Sequence, residues 1–197
     1  AVSTPILNML RSKGFGCAFV APFSLKATQF VGYSFVDDTD LIVSKSDFSA
    51  EKAIASLQCS LDTWEGGLKA TCGALVPEKT YWYLIDFKWS AGNWSYKTII
   101  DSPGSIFAND IQGNRLQIER IEPFQARTSL GVDLAPDGST YHQVKSMRDS
   151  SVKWADAMRT GKISKKDAWI PLTSTIWSTL SLPLPSLTLT KKQCEHI

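Results

Sequence analysis

The stretch "VGYSFVDDTDLIVS", residues 31–44, places three carboxylates inside a run of strand-forming residues: Asp37, Asp38 and Asp40. Charges of one sign this close together repel one another, so something must offset the repulsion. The pattern predicts two strands joined by a tight turn at Asp37-Asp38, which makes the acidic pair the tip of a β-hairpin. There the pair leaves the core and can bind a hard cation such as Mg²⁺, whose preferred ligands are carboxylate oxygens. The alternative is an ordinary surface turn, in which aspartate is common.

The composition is that of an ordinary globular protein: 197 residues, of which 43% are hydrophobic and 20% charged. This length allows one large domain or two small lobes. No apolar run approaches the roughly 18 residues that a membrane span needs, so we expect no membrane partner. The four cysteines show no Cys-x-x-Cys spacing and the chain has only two histidines. We therefore expect free thiols, no structural zinc site, and an intracellular location in the nucleus or the cytoplasm.

Charge is distributed unevenly along the chain. Residues 1–140 carry 12 Lys and Arg against 15 Asp and Glu, a net charge of −3, whereas residues 141–197 carry 9 basic against 4 acidic residues, a net charge of +5. An acidic body followed by a basic region fits a protein that binds cations in one part and a polyanion in the other. A solvated helical surface rich in lysine gives the same charge pattern.

The spacing of apolar residues indicates an α+β fold. The segment "TPILNMLRSKGFG" has helical spacing up to its glycines, and a long helix with Ser49 at its N-cap comes after the acidic hairpin. Residues 79–134 read as strands, with hairpin turns at "SAGN" and "IQGN" and a fifth strand at "TSLGVDL". The segments beyond residue 138 carry apolar stripes typical of helices. The predicted order is an antiparallel sheet with packed helices in residues 1–138 and a basic helical region in residues 139–197.

The segment "FVDDTDLI" resembles the aromatic-x-Asp-Asp hairpin of reverse transcriptases, with Phe35 in the aromatic position. Its context is similar too: a helix precedes it, a long helix comes after it, and a Gly-and-Lys segment and a Leu-Gly hairpin come next. The resemblance, to reverse transcriptases of eukaryotic retroelements such as retrotransposons, covers most of the chain. It implies a partial polymerase palm with a truncated thumb after it. It also implies RNA-directed DNA polymerase activity, a nucleotidyl transfer with two Mg²⁺ ions at Asp37 and Asp38.

Two further segments match this family. "GGLKATCGALVPEKTYWYLIDFKW" is similar to the motif in which a lysine enters the palm, and Lys79 is the matching residue. The resemblance implies that Lys79 lies near the incoming triphosphate and protonates the pyrophosphate leaving group. "RTSLGVDLAPDG" resembles the hairpin that grips the primer 3′ end, with Leu130 and Gly131 as its mark. An exposed lysine ahead of a strand and a glycine bulge within a strand are the ordinary alternatives.

The basic helices correspond to the thumb, which implies a template–primer duplex of RNA or DNA and deoxynucleoside triphosphates as partners. Their tryptophans occupy apolar-stripe positions, so we expect Trp154, Trp169 and Trp177 in the core rather than stacked on bases. The aromatic segment "YWYLIDFKWSAGNWSYKTII" has no assigned function, and we expect packing roles for Trp82, Trp89 and Trp94. The candidate phosphate contacts are basic side chains: Lys145, Arg148, Lys153, Lys162, Lys165 and Lys166.

The resemblance also implies parts that the sequence does not supply. Such a polymerase needs a third carboxylate on an upstream strand, and Asp40, although on the same face as Asp38, lies beyond the metal site by analogy. We therefore expect the 197 residues alone to be inactive. The alternative is a non-catalytic nucleic-acid-binding domain with a degenerate polymerase fold. A different metal-dependent phosphoesterase has less support, because no further cluster of His, Asp or Glu falls at ligand spacing.

Overall fold

The computed structural model describes residues 3–47, 49–161 and 163–195 and shows the α+β class that the sequence predicts. Short strands form small, mostly antiparallel sheets, and several helices accompany them. The chain divides into two compact units between Glu122 and Pro123. The predicted division after residue 138 stays a prediction. Among the described residues, no helix is both long enough and apolar enough to cross a bilayer.

The first unit begins with a helix, two hairpins and a second, longer helix. These elements are α1 (Ser3–Ser12), β1 (Cys17–Val20), β2 (Ala27–Phe30), β3 (Gly32–Phe35), β4 (Asp38–Leu41) and α2 (Ala50–Ala70). The Ser49 side chain accepts a hydrogen bond from the backbone N–H of Lys52, so the predicted N-cap is confirmed. The β1–β2 hairpin was not predicted, although its loop contains Pro22, a residue typical of turns.

A strand-rich segment completes the first unit. It contains a 3₁₀ turn (Pro77–Lys79) and five strands: β5 (Tyr81–Tyr83), β6 (Phe87–Ser90), β7 (Asn93–Tyr96), β8 (Ile106–Asn109) and β9 (Arg115–Ile121). The predicted hairpins β6–β7 and β8–β9 are both confirmed. Strand β5 pairs in parallel with β9, giving a three-stranded sheet in the order β5-β9-β8. This pairing joins residues far apart in sequence, which local patterns do not encode.

Helix α2 supplies the core of the first unit on two sides. Its Leu61 is buried with Trp82, Ile106 and Ile118 of the three-stranded sheet. Its Trp64 is buried in a second cluster, whose other members are Ile6, Leu10 and Val31. Burying a large apolar side chain stabilises a fold by about 1.5–3 kcal/mol. The helix therefore holds the sheet on one side and α1 with the start of the acidic hairpin on the other.

The second unit contains one hairpin and a set of helices. Its elements are β10 (Arg127–Ser129), β11 (Val132–Leu134), α3 (Tyr141–Thr160), α4 (Lys165–Pro171), a π-helical turn (Leu172–Ile176), α5 (Trp177–Ser181), a 3₁₀ turn (Leu184–Ser186) and α6 (Lys191–Cys194). The segment predicted as a fifth strand is instead the β10–β11 hairpin. The buried Gln143 of α3 accepts a 2.6 Å hydrogen bond from the backbone N–H of Asp133, which joins the helix to this hairpin.

The exposure of the tryptophans differs from the prediction in part. Trp82 is buried, as expected, and Trp154 is half-buried. The expectation that Trp169 and Trp177 lie in the core was wrong, since they are 64% and 67% exposed. Between them the helix contains Pro171 and a π-helical turn. The extra residue of a π turn rotates the next helical segment relative to a regular α-helix, so an apolar stripe read at 3.6-residue spacing loses its register there.

Candidate functional site

The acidic hairpin is formed by β3 and β4, and its tip is one residue earlier than predicted. Phe35 pairs with Asp38 at the end of the ladder, so Val36 and Asp37 form the two-residue turn. The predicted turn at Asp37-Asp38 was therefore wrong in register, although the hairpin itself is confirmed. Val36 has a φ of 57°, a conformation that is rare for a β-branched residue. Both aspartates are exposed, Asp37 within the turn and Asp38 as the first residue of β4.

One face of this hairpin rests on the helices of the first unit. β3 contacts α1, β4 contacts α2, and Leu41 packs against both core clusters. Thr39 and Ser34 lie opposite each other on this face, and the Thr39 hydroxyl donates a 3.0 Å hydrogen bond to Ser34. At the base of the hairpin a Cβ on Gly32 would lie 2.1 Å from the carbonyl oxygen of Asp40, so only glycine fits. The helices thus contact the base of the hairpin, whereas the tip with Asp37 and Asp38 is exposed.

The opposite face carries the acids together with two aromatic rings. Because side chains alternate along a strand, Asp38 and Asp40 share this face with Phe35 and Tyr33, their cross-strand partners. Phe35 and Tyr33 are 58% and 45% exposed. The Tyr33 hydroxyl hydrogen-bonds to Asp40, which raises the pKa of Tyr33 to about 12. Asp40 is therefore engaged by a tyrosine, whereas Asp37 and Asp38 stay open at the tip.

The residues present meet a magnesium site only in part. Adjacent, exposed carboxylates offer the oxygen ligands that Mg²⁺ prefers. In the part of the chain that the structure describes, no group of three or more His, Cys, Asp or Glu side chains could hold a metal ion. Within this part of the chain no third carboxylate lies beside Asp37 and Asp38 at a distance from which the three could share an ion.

Lys79 ends the 3₁₀ turn that precedes β5, and its side chain is exposed. The turn is fixed by the buried Pro77 and by hydrogen bonds from the N–H groups of Lys79 and Thr80 to the carbonyls of Val76 and Pro77. No carboxylate lies within ion-pair distance of Lys79 among the residues that the structure describes, which leaves its ammonium available to an anionic ligand.

In the second unit, Leu130 and Gly131 form the two-residue turn of the β10–β11 hairpin. Their φ angles are 51° and 81°, the left-handed pair that a tight hairpin turn requires. The Leu130 side chain is 49% exposed. A Cβ on Gly131 would lie 3.5 Å from Leu182, an ordinary contact distance. The predicted gripping residues thus lie at an exposed, apolar hairpin tip.

Helix α3 lines an open groove of about 950 Å³ in the second unit. Three of the predicted phosphate contacts border it on one side of the helix: Lys145, Arg148 and Lys153. Asp149 and Asp156 border it as well, and sequence reasoning did not foresee these acids in the groove. Lys166 is exposed at the start of α4. Lys162 and the Lys165 side chain lie outside the described residues.

The aromatic segment that had no assigned function forms the β6–β7 hairpin. Trp89 and Trp94 lie opposite each other, with ring centroids 5.2 Å apart, and are 60% and 69% exposed. The pair packs against itself rather than into the core. Two ion pairs stabilise the base of the hairpin, Asp86 with Lys97 at 2.7 Å and Lys88 with Asp101 at 2.6 Å.

No protein-family model, no curated protein and no solved structure matches this chain.

Proposed function

We propose that this chain is part of a reverse transcriptase that extends a primer 3′ end by two-metal nucleotidyl transfer. The observation that supports the proposal is the acidic hairpin. Its two-residue turn leaves Asp37 and Asp38 adjacent and exposed at the tip, and helices α1 and α2 contact the strands that carry them. Two like charges side by side at a strained turn are favourable when a cation binds between them, and this supports a cation site over an ordinary surface turn.

Each candidate residue has a chemical role in this proposal. Asp37 and Asp38 hold divalent cations through their carboxylate oxygens. When bound, two Mg²⁺ ions neutralise the charge that develops on the attacking and leaving oxygens of a phosphoryl transfer. Lys79 presents an ammonium to the triphosphate and can donate a proton to the leaving pyrophosphate. The tip formed by Leu130 and Gly131 lets the backbone approach the primer end closely, because glycine has no side chain.

The second unit is proposed to contact the sugar–phosphate backbone. Lys145, Arg148 and Lys153 lie along one groove, and phosphate contacts depend on charge rather than on base sequence. Asp149 and Asp156 in the same groove reduce its net positive charge. Binding through this groove should therefore be weak and strongly dependent on salt concentration.

One observation favours a second candidate function. Among the described residues no third carboxylate joins Asp37 and Asp38, so these residues alone lack a full set of protein ligands. A non-catalytic nucleic-acid-binding domain that retains the polymerase fold would have the same composition and charge. For this reason we propose that the 197 residues by themselves do not extend primers. Extension should require a further carboxylate from another polypeptide segment.

The test is localised metal binding. Fe²⁺ with ascorbate generates radicals that cleave a polypeptide beside the bound ion, and Mg²⁺ in excess should compete with this cleavage. We expect cuts within residues 35–41 of the wild-type chain and none in Asp37→Asn/Asp38→Asn. Asp47→Asn, which removes an exposed acid from the loop after the hairpin, should cleave as the wild type does. Uniform or absent cleavage at the hairpin would contradict the metal site.

The two candidate functions separate in a longer polypeptide that contains these residues and extends a primer. There Asp37→Asn should abolish nucleotide addition and leave the affinity for a template–primer duplex unchanged or slightly higher, because one negative charge is removed. A variant that still adds nucleotides at the wild-type rate would exclude Asp37 from the chemistry and favour the binding domain.

A further inference from the structure

The loop of the β1–β2 hairpin and the end of β1 expose large apolar side chains. It contains Phe23, which is 100% exposed, and Leu25, which is 76% exposed. Phe19 and Val20, at the end of β1, are 47% and 60% exposed. Single exposed apolar residues are common, but a cluster at a loop tip indicates a surface that binds something.

The loop is ordered by its own hydrogen bonds. The Leu25 N–H donates to the carbonyl of Ala21 at 2.8 Å, and the Ala21 N–H donates to the carbonyl of Lys26 at 3.0 Å. Leu25 has a φ of 55°, which is unfavourable for a bulky residue and closes the loop tightly. The exposure of Phe23 is therefore a consequence of a closed, hydrogen-bonded loop.

The base of the hairpin is joined to the end of α1, which brings basic residues to it. The Gln29 amide donates a 2.8 Å hydrogen bond to the carbonyl of Phe15, and its nitrogen lies 3.5 Å from the carbonyl of Arg11. Arg11 and Lys13 are exposed beside this base, and Lys26 is exposed at the end of the loop.

The charge of this region is unbalanced. Residues 1–36 contain three basic residues, Arg11, Lys13 and Lys26, and no aspartate or glutamate. Within the described ranges, no carboxylate lies within ion-pair distance of any of the three. The β6–β7 hairpin is different, because its Lys88 and Lys97 are each paired with an aspartate. Unpaired positive charge beside exposed rings is complementary to a polyanion that also carries planar apolar groups.

We propose that the β1–β2 hairpin binds single-stranded nucleic acid. This inference rests on the proposed function, which makes a nucleic acid the partner of the chain. Phe23 stacks on an unpaired base, and Lys26, Lys13 and Arg11 contact the phosphates. Proteins that bind single strands without sequence preference combine these two features, aromatic platforms and a basic track. Unpaired bases are required, because bases inside a duplex are already stacked on one another.

The test measures binding of the whole chain to a short fluorescein-labelled oligothymidylate by fluorescence anisotropy. Stacking of one base contributes about 1–3 kcal/mol, so Phe23→Ala should raise the Kd by about 5- to 150-fold. Phe23→Trp should bind as the wild type does. Ile100→Ala, which removes a 91% exposed apolar side chain from a different loop, is the matched control and should leave the Kd unchanged. Melting temperatures should stay equal, because Phe23 is fully exposed.

The phosphate contacts have a separate readout. Removal of one contact to a single strand should lower the slope of log Kd against log salt concentration by about 0.7. We expect this change in Lys26→Gln and not in Lys192→Gln, which removes an exposed lysine of α6. An unchanged slope in Lys26→Gln would overturn the phosphate role of this residue.

The outcomes distinguish this inference from the proposed function. If the wild type binds and Phe23→Ala binds equally well, the hairpin site is overturned and the polymerase proposal is untouched. If the wild type does not bind the oligothymidylate, the hairpin site is overturned, and the Fe²⁺ cleavage decides the proposed function separately. If Asp37→Asn/Asp38→Asn loses the Fe²⁺ cleavage but keeps Phe23-dependent binding, both are supported. Vesicles of phosphatidylcholine and phosphatidylserine form the last arm: Phe23-dependent binding to them without binding to the oligonucleotide overturns the inference in favour of a lipid surface.

Discussion

Tyr33 lies directly opposite Asp40 in the acidic hairpin, and its hydroxyl donates a hydrogen bond to the Asp40 carboxylate. The bond, together with partial burial and the negative charge of Asp40, raises the pKa of Tyr33 from 10.0 to about 12. Asp40 is thereby held by a neighbour on the same face as Asp38. The pairing separates the three acids of the hairpin into one that is engaged and two that are open at the tip.

This pairing predicts a stability difference that depends on pH. The folded-state pKa of Tyr33 lies above the ordinary value, so the stabilisation by its proton is complete below about pH 10 and is lost as the pH rises towards 12. Tyr33→Phe should be less stable than the wild type at pH 8, and the difference should shrink between pH 10 and 12. Urea unfolding at a series of pH values measures it.

A matched substitution isolates the effect of this bond from the general alkaline loss of stability. Tyr141→Phe removes the hydroxyl of a tyrosine that is 64% exposed on the other unit, and it is the control for loss of a tyrosine hydroxyl as such. A Tyr33→Phe difference that stays constant up to pH 12 would show that the Asp40 bond does not contribute to stability.

The absence of a third carboxylate beside Asp37 and Asp38 among the described residues predicts the behaviour of the isolated chain. Incubated with a template–primer duplex, deoxynucleoside triphosphates and Mg²⁺ or Mn²⁺, it should add no nucleotides above the level of Asp37→Asn. Gel analysis of a labelled primer checks this expectation. Extension that is abolished by Asp37→Asn would show that the described residues already contain a complete catalytic set.

The two hydrogen bonds between Gln58 of α2 and Phe107 of β8 predict that substitution of Gln58 lowers the stability of the fold. The Gln58 amide donates to the Phe107 carbonyl and accepts from the Phe107 N–H, both at 2.8 Å, so it pairs with the outer edge of β8 as a strand would. Leaving partly buried backbone groups unpaired costs about 1–3 kcal/mol. Gln58→Ala should lower the free energy of unfolding by that amount, and Gln112→Ala, an exposed control, should not.

Glu65 also stabilises the outer edge of β8, and its contribution to the free energy of unfolding depends on pH. Its buried carboxylate accepts hydrogen bonds from the backbone and side-chain amides of Asn109. Burial alone would raise the pKa of Glu65, but the bonds from Lys69 and Asn109 outweigh it and lower the pKa. The stability that Glu65 contributes is therefore present above its unfolded pKa and is lost as the pH falls through the folded value. Glu65→Gln should reduce the acid sensitivity of unfolding.

Helix α2 shows what could be predicted from sequence. The Ser49 cap and the helical spacing of Leu61 and Trp64 are local features, and the helix formed where they indicated. The acidic hairpin was predicted for the same reason, since two apolar strands flank a polar turn. Its register was wrong because the turn uses Val36, and a β-branched residue at positive φ is not what a sequence pattern favours.

Other features could not be predicted because they depend on partners distant in sequence. Strand β5 pairs in parallel with β9, and Gln58 hydrogen-bonds to the outer edge of β8. Both interactions join residues that no local sequence pattern connects. Asp149 in the α3 groove shares its helix face with lysines that were predicted. The exposure of Trp89 and Trp94 depends on whether the rest of the fold covers their hairpin, and composition alone does not encode that.

The turn of the β10–β11 hairpin predicts opposite effects for two neighbouring substitutions. Leu130 and Gly131 both have left-handed backbone angles, which cost a residue with a side chain about 1–2 kcal/mol and glycine almost nothing. Leu130→Asn should raise the melting temperature, because asparagine tolerates this conformation better than leucine. Gly131→Ala should lower it by strain alone, since the added methyl meets Leu182 at an ordinary 3.5 Å.

If Leu130→Asn is more stable yet weakens binding of a primer duplex, the leucine side chain is retained for contact rather than for folding. Equal binding of the duplex by the wild type and Leu130→Asn would show that the Leu130 side chain does not contact the primer.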